Sequence, residues 1–284
     1  MLLLAAASEI LTGVDTWFAH RAGGTARGAE WIPIVFGPAA GGILIVAGLV
    51  AVRRRTLASI LATVVFAASV VVGVLGAWLH LMRTILVTGP VGERVSLALF
   101  FWAPPILGPL AFAFIGVFGT SAAWPEEPPG SGRLRLPAGR TLRLPYPKTN
   151  AYYYVTALGI LIALVSSVLD HAGAGFRDPW LWLPTGIGIF AATVALAMGM
   201  MEKPSRADVG TYVVAMFLLG LVGVLGAVLH VEVDLASGGR FVPERFLRGA
   251  PFMAPLLFCN MAAVGLLALL PADADPRRRD RGGS

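Results

Sequence analysis

Histidine is rare in this chain, and its four copies are placed so that they could share one role. They are His20, His80, His171 and His230, and each lies at or near the end of a long apolar run. Neutral imidazole is the commonest metal ligand in proteins, and His also holds haem iron. We therefore predict a histidine-rich metal or haem site. The alternative is that these residues are amphipathic anchors at a membrane interface.

Two glutamates, Glu93 and Glu244, precede the apolar runs that follow the second and fourth His. In the haem version of the site, each of two His pairs ligates one haem b. In the transition-metal version, a Glu joins each pair, because two His and one carboxylate form a known non-haem iron site. The two predicted pairs are His20 with His80 and His171 with His230.

Small and hydroxyl residues precede the His along the chain. Thr16 and Ser167 lie one helical turn before a His and could bond a ligand or its surroundings; alternatively, each bonds its own i−4 carbonyl. Glycines on the face below the other two His admit a close neighbour, which is either another helix or a flat cofactor such as a porphyrin. These glycines are Gly73, Gly76, Gly223 and Gly226.

Glu9 is the one acidic residue predicted to lie near the centre of the bilayer, in the first apolar run. An intramembrane carboxylate is costly and is by default a functional candidate. Burial favours its neutral form, which suits a proton relay. The alternative is a neutral Glu that is hydrogen-bonded within the helix bundle.

Long apolar runs must position these side chains. The chain is 57% hydrophobic and only 13% charged, whereas a soluble domain is about one quarter charged. About 20 apolar residues cross a bilayer, and in lipid they must be helical. We predict an all-α integral membrane protein with eight transmembrane helices, formed by residues 1–19, 31–52, 57–82, 95–122, 151–169, 179–201, 210–231 and 249–271.

The second half of the sequence resembles the first. The segment 71–80, VVGVLGAWLH, recurs as LVGVLGAVLH at 221–230, and His20 and Trp31 recur as His171 and Trp182. Four spans in each half would give both halves the same orientation, as parallel repeats. We therefore predict four-helix repeats at 1–122 and 151–271, a cytoplasmic linker at 123–150 and a basic, disordered cytoplasmic tail at 272–284.

The distribution of positive charge orients the chain. The loops on the N-terminal side of the predicted helices and the tail hold 14 of the 22 Lys and Arg residues. The positive-inside rule then puts both termini in the cytoplasm and the four His at the outer face of the plasma membrane. Anionic lipid explains the basic charge, so no nucleic-acid partner is expected.

The sequence is compatible with three functions. The plan of two four-helix units with outer His pairs resembles that of haem A synthases, which favours haem but assigns no residue role, since the His of that family lie elsewhere in the helix order. The first hypothesis is therefore a metal or haem protein in redox or electron transfer, with quinone or other membrane subunits as partners. The second is a transporter or permease that uses Glu9, and the third is a structural or assembly subunit of a membrane complex.

Overall fold

The protein is described by a computed structural model that covers residues 1–22, 24, 28–86, 107–172, 175–236 and 253–270. Within these ranges the chain is almost entirely helical, as expected for apolar runs whose backbone must satisfy its own hydrogen bonds. The helices, numbered in chain order, are α1 Leu2–Ala22, α2 Trp31–Ala51, α3 Arg55–Leu86, α4 Leu107–Ala123, α5 Lys148–Ala172, α6 Leu183–Met200, α7 Arg206–Ala236 and α8 Leu256–Ala268.

Six of these helices are long and apolar enough to cross a membrane. The predicted all-α class is therefore confirmed, and the six apolar helices are consistent with a multi-pass membrane protein. Helices α4 and α8 are shorter, with 17 and 13 residues. The first parts of the corresponding predicted runs, 95–106 and 249–252, lie outside the described residues. The six spans are Leu2–Arg21, Gly28–Ala51, Arg55–Met82, Lys148–Ala172, Pro179–Met200 and Arg206–Leu235.

The helices pack as two groups of four. In the first helix group, α1 to α4, each helix packs against the next and α4 returns to α1, so that α1 and α3 lie diagonally across the bundle. In the second helix group, α5 to α8, the same order of neighbours places α5 and α7 on the diagonal. The groups meet where α4 packs on α5 and where α1 contacts α8.

Close backbone approach holds α1 against α2. A side chain at Gly37 would collide with the backbone of Gly13 and with the carbonyl of Glu9, and one at Gly41 would collide with Ile10 and the carbonyl of Ala6. Membrane helices gain little from hydrophobic burial against each other, so small residues that allow tight packing stabilise such contacts.

The segment between the two groups, predicted as a linker, is folded against the helix ends. Strands β1 Arg133–Arg135 and β2 Thr141–Arg143 form a short antiparallel hairpin. The buried Glu126 carboxylate accepts hydrogen bonds from the backbone N–H groups of Gly132 at 2.6 Å, Gly130 at 3.0 Å and Lys148 at 3.1 Å. Both glycines have positive φ, a conformation that favours glycine, so this turn depends on them.

Candidate functional site

The four His lie in two facing pairs at one end of the helix groups, which we call the histidine end. The rings of His20 on α1 and His80 on α3 have their centroids 6.1 Å apart and are inclined by 78°. Those of His171 on α5 and His230 on α7 are 6.3 Å apart and inclined by 73°. Each pair therefore bridges the diagonal of its own helix group, and all four side chains are partly buried.

The distance between the ring centroids in each pair can be compared with the distance expected for two imidazoles that bind one metal ion. A metal–nitrogen bond of about 2 Å and about 1 Å more to each ring centre place two opposed imidazoles roughly 6 Å apart. A tetrahedral angle at the metal would bring the ring centres to roughly 5 Å. The observed separations are compatible with two imidazoles on opposite sides of one metal ion, and they also lie in the range of ordinary edge-to-face ring contacts.

Within the described residues, no group of three or more His, Cys, Asp or Glu side chains could hold a metal ion. The predicted ligands Glu93 and Glu244 lie outside these residues, so the site with two His and one Glu stays a prediction. The described part of the chain offers two imidazoles in each pair. Haem iron is often held by His side chains, so such a pair is compatible with haem ligation.

Glu30 is a site residue that sequence reasoning missed. Its side chain is 8% exposed, and its Oε2 lies 3.8 Å from Nδ1 of His20. It belongs to the short 3-10 turn Gly28–Glu30 that precedes α2. In the sequence alone, nothing distinguishes it from an ordinary carboxylate in a loop. At 3.8 Å the contact is at an ion-pair distance, so the Glu30 carboxylate lies close enough to act electrostatically on the His20 ring.

The second pair has different polar neighbours. The Ser167 hydroxyl lies 3.5 Å from Nδ1 of His171. The ring of Phe176 stands edge-on to His171, with centroids 6.3 Å apart. The buried Asp234 lies one helical turn beyond His230.

Thr16, which the sequence places like Ser167, uses its hydroxyl differently. The Thr16 hydroxyl donates to the carbonyl oxygen of Thr12 at 2.7 Å. This is the i−4 bond that was the alternative in the sequence analysis. The hydroxyl proton of Thr16 is therefore used by the backbone of α1.

The predicted glycines lie where helices approach each other. A side chain at Gly73 would collide with the backbone of Ala113, and one at Gly76 with Pro109, both on α4. In the second helix group, Gly223 and Gly226 face α8 in the same way, against Cys259 and Pro255. The space beside these four glycines is therefore filled by a neighbouring helix, the first of the two alternatives, and leaves no room there for a flat cofactor.

Glu9 lies away from the His pairs, inside the first helix group. It is fully buried, and its Oε1 is 2.6 Å from the Ser69 hydroxyl on α3. Its Oε2 is buried and has no hydrogen-bond partner among the described residues. The adjacent Ser8 hydroxyl accepts a hydrogen bond from the amide of Asn260 on α8, at 2.9 Å, so this part of α1 also forms the polar contact between the helix groups.

Comparisons of the chain with protein-family models, with curated proteins and with solved structures found no match. The functional argument therefore depends on the geometry of the His pairs and of Glu9.

Proposed function

We propose that this is a membrane haem protein that carries two bis-histidine haem b centres at the outer face of the plasma membrane and transfers electrons. The observation that carries the proposal is that two separate His pairs, each across the diagonal of one helix group, have ring centroids 6.1 and 6.3 Å apart. Interface anchors that act singly would not need to face each other, and the same ring separation in both helix groups is compatible with two imidazoles that hold one iron.

The residues around each pair are suited to holding an axial ligand. Glu30 lies next to Nδ1 of His20, and Ser167 next to Nδ1 of His171. A hydrogen-bonding neighbour such as Ser167 orients the imidazole and favours ligation through the other ring nitrogen, and the Glu30 carboxylate lies near the His20 ring. The bound haem would supply a one-electron couple, and the protein would supply the axial nitrogens, the helices that hold them apart and the local charge.

The proposed setting follows from the charge pattern and the repeated landmarks. Eight spans arranged as two parallel four-helix repeats would give each repeat one centre and place both termini in the cytoplasm. A lipid-soluble carrier such as a quinone, or another membrane subunit, would exchange electrons with centres at this face.

The test is an absorption spectrum of the purified protein, together with haem and metal analysis. We expect a Soret band and about two haem groups per chain, and about one after either His80→Ala or His230→Ala. Thr193→Ala, on an exposed face of α6, is the matched control and should keep both groups. A protein with no Soret band would contradict the haem assignment, and one that also lacks stoichiometric metal would contradict any metal site here.

A second candidate function is a proton-coupled permease that uses Glu9. It is supported by the complete burial of this carboxyl group and by its single hydrogen-bond partner, Ser69, among the described residues. Buried ionisable groups in membrane spans often carry protons. If Glu9→Gln left the proton-coupled uptake of every candidate substrate unchanged, this function would be ruled out.

A further inference from the structure

A cavity of about 290 Å³ lies at the opposite end of the helices from the His pairs, where the two helix groups meet. Its walls come from the first residues of α1, α3 and α5 and from the last residues of α2, α4 and α8. A volume of this size is near the lower limit for small-molecule sites. It suits a compact headgroup better than a nucleotide or a larger metabolite.

The polar wall of this cavity is cationic. Arg55 and Lys148 line it together with Ser59 and Thr149, and the lining contributed by the described residues includes no acidic side chain. Lys148 is only 6% exposed. Its Nζ donates a hydrogen bond to the carbonyl of Trp124 at 3.0 Å, so the ammonium group is held in place at the wall.

The start of α3 adds to the positive potential. Arg55 begins α3 and lines the cavity. The first turn of a helix carries N–H groups without intrahelical partners and the positive end of the helix dipole. At the start of α5, the backbone N–H of Lys148 already donates to the buried Glu126 carboxylate, so α5 contributes the Lys148 ammonium group and not a free helix start. Two cations and one helix start beside one cavity favour an anion with several acceptor oxygens, such as a phosphate group.

The remaining wall is apolar. Ala51 lines it at the end of the span Gly28–Ala51, and Leu267 and Leu270 line it at the end of the shorter apolar helix α8. An apolar wall beside a cationic one, at the level of a membrane surface, suits the glycerol and first acyl carbons of a lipid next to its phosphate. A free phosphate ion would leave this wall unused.

We propose that this cavity binds the headgroup phosphate of an anionic phospholipid between the two helix groups. The lipid would connect α3 of the first group to α5 of the second through a shared anion. This inference is independent of the His pairs and of haem, so either proposal can fail without the other.

The test is native mass spectrometry of the purified full chain, with phosphatidylglycerol or phosphatidylcholine of the same acyl chains. Each cation near a membrane surface contributes about 1 kcal/mol to anion binding, which is about fivefold in affinity. With two cations we expect phosphatidylglycerol to bind more than tenfold more tightly. Arg55→Gln should weaken it about fivefold, and Lys148→Gln should weaken it at least as much.

Arg53→Gln is the matched control, because Arg53 lies two residues from Arg55 and is exposed, but does not line the cavity. It should leave the preference unchanged. Equal loss in the Arg53 and Arg55 variants would overturn the proposal, since it would show diffuse surface charge. Displacement of the lipid by millimolar glycerol phosphate would overturn the lipid assignment and leave a soluble phosphate as the ligand. Because Lys148 also holds Trp124, the Arg55 variant decides the result if the Lys148 variant fails to fold.

Discussion

Replacement of Glu9 by leucine should leave the fold intact, although Glu9 is among the most deeply buried side chains of the chain. Glu9 and its partner Ser69 are both fully buried. At the offsets of 151 and 150 residues that relate the two halves of the sequence, the corresponding residues are Ile160 and Leu219, which are also fully buried. The second helix group thus places two apolar side chains where the first has a carboxyl and a hydroxyl.

The hydrogen bonds of this pair set the size of the effects. Ser69→Ala removes the one partner of Glu9 among the described residues and leaves a buried carboxyl unsatisfied, which costs about 1–3 kcal/mol of unfolding free energy. Glu9→Leu leaves Ser69 with a second acceptor, the carbonyl of Val65 at 3.0 Å. Because replacement of buried polar groups by apolar ones of similar size is often neutral or stabilising, we expect a loss below about 1 kcal/mol.

A double-mutant cycle tests this reasoning. With Glu9→Leu already present, Ser69→Ala should cost little, which gives a coupling energy of about 1–2 kcal/mol. Unfolding by sodium dodecyl sulfate in mixed micelles, followed by circular dichroism, gives the free energies. Thr193→Ala is the control, because its exposed hydroxyl bonds only the Ile189 carbonyl. Additive effects would refute the Glu9–Ser69 bond, and a loss above about 3 kcal/mol in Glu9→Leu would show that the carboxyl is structural.

Two further predictions concern the site and its scaffold. If haem is bound, Glu30→Gln should raise the reduction potential of one centre only, because the change removes a negative charge beside His20 that favours the oxidised iron. A redox titration in which both potentials shift, or neither does, would contradict this prediction. Gly73→Ala should lower the unfolding free energy by about 1–3 kcal/mol, because its Cβ would meet the backbone of Ala113. Gly42→Ala is the control, because a Cβ at Gly42 would contact no other atom; it should be neutral or stabilising by up to about 1 kcal/mol. Thermal unfolding of the two variants in the same detergent measures the difference. A Gly73 variant as stable as the Gly42 variant would refute the tight contact.

The parts of the fold that could be predicted are those determined by the composition of short sequence segments. Apolar runs place helices within a few residues of their ends, as for the predicted run 31–52 and the helix Trp31–Ala51. The contact of His20 with His80 was also predicted, because both lie late in helices that run in the same direction, although α3 continues to Leu86 and does not end at His80. Glu30 and Glu126 could not be found in this way. Their partners come from distant turns and from glycine conformations that local composition does not encode.

The two candidate functions occupy separate places on α1. Hydroxyl groups at Ser8, Thr12 and Thr16 are spaced by four residues between the depth of Glu9 and His20, which suggests a path for protons. Each hydroxyl, however, donates its one proton to a carbonyl four residues earlier, at 2.7–2.9 Å. A hydroxyl bound to the backbone in this way does not pass a proton to the next one, because the next oxygen is not its acceptor. The hydroxyls of α1 therefore do not form a proton path from Glu9 to His20, so the carboxyl and the His pair are treated as two separate sites.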